Sequence, residues 1–139
     1  MADAGIHTLI AAGEHMRDIK AFEPYLRPKR VLDVLQMDIR QGGFLDNAQL
    51  AKMAAPPGAL AIQHNWASQI GNVMALHLAR VFENSPMVES DRSTSDVIVA
   101  EDYRFEDGAM KMPDKPGLGI ALNEDAYKRQ CRSSEIVLT

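Results

Sequence analysis

With 139 residues, 46% hydrophobic and 24% charged, the chain has enough apolar material for one domain with a sizeable core, which excludes a fibrous or disordered protein. Its net charge of −4, from 15 basic and 19 acidic residues well mixed, offers no basic stripe to neutralise phosphates and excludes nucleic acid as the expected partner. The single cysteine, Cys131, rules out an internal disulfide or a cysteine-rich metal centre, and no apolar run approaches the ~20 residues that span a bilayer.

In chain order, Thr8-Leu9-Ile10-Ala11-Ala12 is a short unbroken apolar run, which predicts a strand buried on both faces and ending at Glu14. The opening residues lack the basic flank of a secretory leader, so the expected location is the cytoplasm, with no membrane partner. Met16, Ile19, Phe22 and Leu26 share one face of a predicted helix closed by Pro28, although Pro24 falls where its ring would break the last turn. A second strand is predicted from Val31 to Met37, ending at Asp38. Gly42-Gly43 then turn the chain into a helix over Phe44–Ala54, stopped by Pro56-Pro57-Gly58.

Leu60-Ala61-Ile62-Gln63 form a third predicted strand that delivers His64. Ile70, Val73, Met74, His77, Leu78, Val81 and Phe82 trace one face of the next helix, which Asn84-Ser85-Pro86 ends. A short fourth strand, Met87-Val88, delivers Glu89. Beyond Arg92 the pattern breaks into turn signals, Phe105-Glu106-Asp107-Gly108 and Met112-Pro113 through Ile120, and Cys131–Thr139 reads as a loosely held terminus. The predicted organisation is α/β: four βα units over residues 1–92, amounting to about half of a TIM-type barrel, and a closing hairpin-and-loop segment over 93–139.

Glu14, Asp38, His64 and Glu89 follow one another at intervals of 24, 26 and 25 residues. A strand, turn, helix and return loop occupy roughly 25 to 30 residues, so this beat predicts a functional group at the end of every strand, all facing one mouth. A carboxylate beside an imidazole fixes its tautomer and leaves the second nitrogen free to move a proton, which makes Asp38 and His64 the expected dyad. A further carboxylate can hold a hard cation such as Mg²⁺, and Glu14 is the candidate.

The segments Ala12-Gly13-Glu14, Gln36-Met37-Asp38 with Gly42-Gly43, Gln63-His64-Asn65-Trp66, Met87-Val88-Glu89 and Pro113-Asp114-Lys115-Pro116-Gly117-Leu118-Gly119 resemble, in order and spacing, the C-terminal half of the enolase superfamily. The resemblance is to its mandelate racemase and muconate lactonizing branch, especially acid-sugar dehydratases. It implies that Glu14 is a metal-binding carboxylate, that Asp38 and His64 are the acid/base dyad, and that Glu89 stabilises the enolate. It also implies Mg²⁺, a small carboxylate substrate such as an acid sugar, and a homo-oligomer in the complete enzyme. The expected reaction removes the proton α to a carboxylate and then loses water. Racemization, epimerization or cycloisomerization is the alternative, and a catalytically inactive truncated piece is another.

Asp38 stands one position closer to Gly42-Gly43 than is common in that family, and the strands that carry its other metal carboxylates have no counterpart here. The chain is therefore expected to be a fragment, a truncated product, or half of something completed by another chain.

Each residue also has a structural alternative. Glu14 would be a solvated turn residue or a helix cap, His64 a satisfied structural histidine, Asp38 a cap of the following turn or partner of Arg40, and Glu89 a partner of Arg92. His15 and Asn65 are further candidates for substrate contact. Trp66 is expected either to wall the pocket or to pack under the neighbouring loop, Gly42-Gly43 either to shape a carboxylate-binding turn or simply to start a helix. His77 is expected in the core, with Met37, Met53 and Met74 as core filler.

Overall fold

The computed structural model describes Gly5 and residues 7–134. Three short strands, β1 (Ala11–Ala12), β2 (Val34–Leu35) and β3 (Leu60–Ala61), pair in parallel in that order, with β2 in the middle. Pairing continues past the strands. Gln36 N donates to Ala12 O at 3.0 Å, Ile62 N to Leu35 O at 3.0 Å, and an isolated parallel bridge between Asp38 and His64 closes the ladder, with Ile39 N on His64 O at 3.0 Å. β1 differs from expectation: Ala11 and Ala12 are exposed, because β1 is paired on one side only.

The expected fourth strand does not form. Ala61 N donates to Asn84 O at 2.9 Å, so the return bond of a parallel ladder would come from residue 86 to Ala61 O. Residue 86 is proline and has no N–H. The Gln63 side chain takes that place. Its Nε2 donates to Ala61 O at 3.3 Å and its Oε1 accepts from Ser85 Oγ at 3.4 Å, with both side chains buried. The segment around Met87-Val88 therefore lies beside β3 without belonging to the sheet.

Helices differ in register more than in presence. Residues 16–26 do not form one helix: the Asp18 side chain accepts from Lys20 N and starts a 3-10 turn, Ile19–Phe22, and Pro24 lies in the first turn of a separate short helix, α1 (Glu23–Leu26). The apolar face survives the break. Phe22 and Leu26 join Leu32, Leu35, Met37, Leu50, Ala54 and Ala59 in one cluster, with Ile10, Met16, Ile19 and Met53 packed against it. Helix α2 (Ile39–Ala54) begins directly after Asp38, and Gly42-Gly43 lie inside it rather than before it. Gly43, at φ 59° and ψ −162°, interrupts the helical path, and its carbonyl accepts from Asn47 Nδ2 at 2.9 Å.

Helix α3 (Gln69–Val81) has Ser68 as its N-cap, and buries Val73, Ala75, Leu76 and Leu78. Ile70 and Val81, expected on that face, are exposed. His77 is half-buried; its Nε2 lies 2.9 Å from Tyr103 Oη, which donates its only proton to Leu118 O at 2.6 Å, so the imidazole Nε2–H is the donor.

In the closing segment β4 (Ile98–Val99) pairs antiparallel with β7 (Ala121–Leu122), and β5 (Arg104–Glu106) with β6 (Ala109–Lys111) through the expected Asp107-Gly108 turn. Helix α4 (Glu124–Gln130), capped by Asn123, was not expected. Of the expected loose terminus, Cys131 is the C-cap of α4 and Arg132–Ser134 form a 3-10 turn; residues 135–139 lie outside the described residues.

Gly13 couples this packing to the end of β1. It sits at φ 120°, and a Cβ there would stand 2.7 Å from Phe22 Cζ. Gly13→Ala is expected to destabilise the protein by about 2–4 kcal/mol in denaturant unfolding, through overpacking and a backbone conformation that alanine resists.

Candidate active site

Asp38 is fixed twice over by its position between β2 and α2. As N-cap of α2, its Oδ1 accepts from Arg40 N at 2.7 Å and Gln41 N at 3.2 Å. Its Oδ2 lies 2.9 Å from His64 Nδ1, with the Arg40 guanidinium at 3.6 Å. The dyad, the helix cap and the Arg40 pairing, considered separately from sequence, therefore coexist on the two oxygens of one carboxylate. The shorter spacing to Gly42-Gly43 has not displaced it from His64.

The carboxyl is 2% exposed, and burial pushes its pKa up; the bond to His64, the Arg40 and Gln41 amides and the Arg40 charge outweigh burial and hold it below the ordinary value. An ionised Asp38 can only accept, so the proton of the shared bond is on Nδ1, and in the neutral imidazole the Nε2 lone pair of His64 is left free. Nε2 lies 3.8 Å from Glu14 Oε2, beyond direct hydrogen bonding. Glu14 is half-exposed, and its other oxygen lies 3.3 Å from Nε2 of the open His15. An imidazole lone pair and a carboxylate thus face one open gap, an arrangement able to hold a proton-bearing group between them.

Glu89 arrives from the other side of β3. Its Oε2 accepts from Asn65 N at 3.0 Å and its carbonyl from Asn72 Nδ2 at 2.9 Å. The pairing with Arg92 is not formed. Glu14, Asp38 and His64 are brought together directly, and Glu89 touches the residue next to His64.

Asn65, expected to contact substrate, has a buried side chain; its Nδ2 donates to Ser68 O at 3.0 Å, and a Cβ on Gly71 would collide with its Oδ1. The side chain shapes the entry to α3 instead. Trp66 is 66% exposed and does not pack beneath the loop. Asp91 went unnoticed in the sequence, yet its Oδ2 accepts from Ala67 N and its two oxygens accept from Ser93 N and Oγ, each at 2.9 Å. The only sequence signal for it is that residues 67 and 91 repeat the 24-residue interval between 65 and 89.

Among the described residues no group of three or more His, Cys, Asp or Glu side chains is placed to hold a metal ion. Both Asp38 oxygens are engaged and Glu89 is bonded on the Asn65 side, which leaves Glu14 as the carboxylate facing the gap, and one half-exposed carboxylate does not retain Mg²⁺ against water. These residues by themselves do not fit a magnesium centre. No helix among them is long and apolar enough to cross a membrane.

Residues 2–126 match the model of a family described as enolase C-terminal domain-like. The chain belongs to that family. It is 31% identical over 125 residues to the D-xylonate dehydratase of Haloferax volcanii, covering 87% of this chain and 30% of that enzyme. It is 30% identical over 107 residues to the D-galactarolactone cycloisomerase of Agrobacterium fabrum, covering 68% of this chain and 28% of the relative. The crystal structure of a mandelate racemase/muconate lactonizing protein from Geobacillus sp. Y412MC10, complexed with magnesium and tartrate, superimposes with a TM-score of 0.81 at 28% identity, over 96% of this chain and 34% of that one. This member of the enolase superfamily thus spans about a third of the length of the proteins it matches, and its α/β architecture is that of the matched part.

Because the Asp38 carboxyl lies below its ordinary value of 3.8, it contributes stability that is fully present above that value and is lost as pH falls through the lowered one. Unfolding measured across the acid range is expected to show this loss in the native sequence, and Asp38→Asn is expected to remove that component of the pH dependence.

Proposed function

We propose that this enolase-superfamily chain supplies the acid/base part of an active site that removes the proton α to the carboxylate of an acid sugar, with loss of water as the outcome. The observation that carries this reading is the 2.9 Å bond from His64 to the buried, ionised Asp38, with His64 Nε2 facing Glu14 across an open gap. In this reading Nε2 moves the proton at the substrate carbon, while Asp38 holds the ring in one tautomer and balances the charge of the imidazolium. Glu89, with Oε1 unclaimed among the described residues, supports the negative oxygen of the enediolate. His15, beside Glu14, and the exposed Trp66, two residues after His64, are the substrate contacts of this reading. A carbon acid of this kind is so weak that charge stabilisation has to supply most of the rate.

Glu14 contributes one carboxylate towards a Mg²⁺ ion, as fits the magnesium-bound neighbour, and the remaining ligands have to come from outside these residues. Cytoplasmic location and a homo-oligomeric complete enzyme belong to the same proposal. Cycloisomerization is the second reading, favoured by the likeness to D-galactarolactone cycloisomerase. A non-catalytic remnant is the third, favoured by the lone metal carboxylate.

Incubation in deuterated water with a panel of aldonates and uronates tests the first two. A dehydrated keto acid carrying deuterium at the β carbon, where the hydroxyl was lost, is the expected product, and His64→Asn is expected to slow its formation by about 10²- to 10⁴-fold. Epimer or cyclic isomer without loss of water would replace the dehydratase reading. Calorimetric titration with Mg²⁺ addresses the third: absence of both binding and exchange leaves only the remnant.

A further inference from the structure

The loop after β3 is fastened to the segment after Glu89 by bonds that the proposed chemistry does not use. Asn65 N donates to the Glu89 carboxylate at 3.0 Å, and Ala67 N donates to the Asp91 carboxylate. Residues 65 and 67 are alternate positions of one segment, and 89 and 91 are alternate positions of the other. In a parallel ladder such N–H groups would meet main-chain carbonyls of the next strand. Here two carboxylates replace them, just beyond the point where Pro86 ends the backbone pairing.

Two features separate this arrangement from an ordinary turn around Asp91. The bonds from Ser93 N and Oγ to Asp91 are local, whereas Ala67 lies 24 residues away. Ala67 also holds φ at 53° and Arg92 at 59°, the left-handed region that residues with a Cβ avoid, so the residues on both sides of the long-range bond are strained. Strain of this kind persists only where surrounding bonds over-determine it, and at Ala67 the bond available is the one to Asp91.

We propose that Asp91 is a positioning residue: its carboxylate holds Ala67 in the left-handed conformation and thereby keeps Asn65 N–H on Glu89 and the backbone after His64 in place at the mouth. The part of this that concerns catalysis rests on the reading of His64 and Glu89 given above. The clasp itself is a statement about backbone and stands or falls without it.

Amide hydrogen exchange on the full chain, read residue by residue by NMR, tests the clasp. Asp91→Ala is expected to speed exchange at Asn65 and Ala67 by about tenfold or more, the loss of a charge-assisted bond, while Ile62 in the sheet is unaffected. Combining it with Ala67→Gly, which removes the penalty of a positive φ, is expected to restore most of the protection at Asn65. Should Asp91→Ala not fold, Asp91→Asn keeps an uncharged acceptor and is expected to give intermediate exchange rates. Unchanged protection in whichever variant folds overturns the proposal. So does a loss that Ala67→Gly does not repair, because it would mark a general loss of stability.

In the deuterium-incorporation assay Asp91→Ala is expected to lower kcat about tenfold with little change in KM, and the double variant to recover it. Faster amide exchange in a protein with no turnover would sink the catalytic reading and leave the clasp. Turnover with undisturbed amides would do the reverse.

Discussion

Everything in this structure hangs on the carboxylate of Asp38. It closes the parallel ladder as the bridge partner of His64, it caps α2, and it holds the imidazole. A buried charge is costly unless its hydrogen-bonding capacity is used, and here two amides, an imidazole N–H and a nearby guanidinium use it. The consequence is that fold and site share one interaction. A protein that folds by this cap and this bridge has already set the tautomer and direction of His64, so the dyad is organised before any ligand arrives.

The other members of the constellation follow from where their strands lie. β2 is flanked on both sides, and Asp38 at its end is 2% exposed; β3 is flanked by β2 and by the irregular segment 84–89, and His64 is 16% exposed. β1 has a neighbour on one side only, and Glu14 is 50% exposed. Burial thus grades from the middle of the sheet to its edge, and roles grade with it. The proposed proton-moving pair is built within this chain, while the metal-binding candidate is the member that still needs neighbours.

Much of this was legible in the sequence because a βα period constrains spacing whatever the local detail. The two intervals linking Glu14, Asp38 and His64 located the ends of three strands to within three residues, although each strand is shorter than its apolar run. What failed did so through single residues that act on the backbone. Asp18 and Pro24 split a helix whose apolar face was nevertheless correct, since burial of Phe22 and Leu26 depends on spacing and not on an unbroken helix. Pro86 removed the donor on which the fourth strand depended. Asn65 looked like a site residue because it follows His64, and adjacency in a loop says nothing about which way a side chain turns. Asp91 was missed because its partner is a main-chain N–H, which no residue type advertises.

The buried polar side chains show one rule behind these local failures. Among the described residues the buried polar or charged ones are Asp38, Asn47, Gln63, Asn65 and Ser85, and each sits, or bonds to a residue, where regular backbone pairing stops. Asp38 serves the free amides at the start of α2, and Asn47 serves the carbonyl exposed where Gly43 interrupts that helix. Gln63 supplies the donor missing at Pro86, with Ser85 bonded to it in turn, and Asn65 closes the turn into α3. Two of these replacements carry a residual cost: Asn47 Oδ1 and Asn65 Oδ1 are left without partners. The interruptions are concentrated at the mouth side of the sheet, where strands end and loops must carry functional groups. A parallel α/β sheet that presents chemistry at its strand ends has to give up its backbone ladder there, and in this chain short polar side chains take over from it.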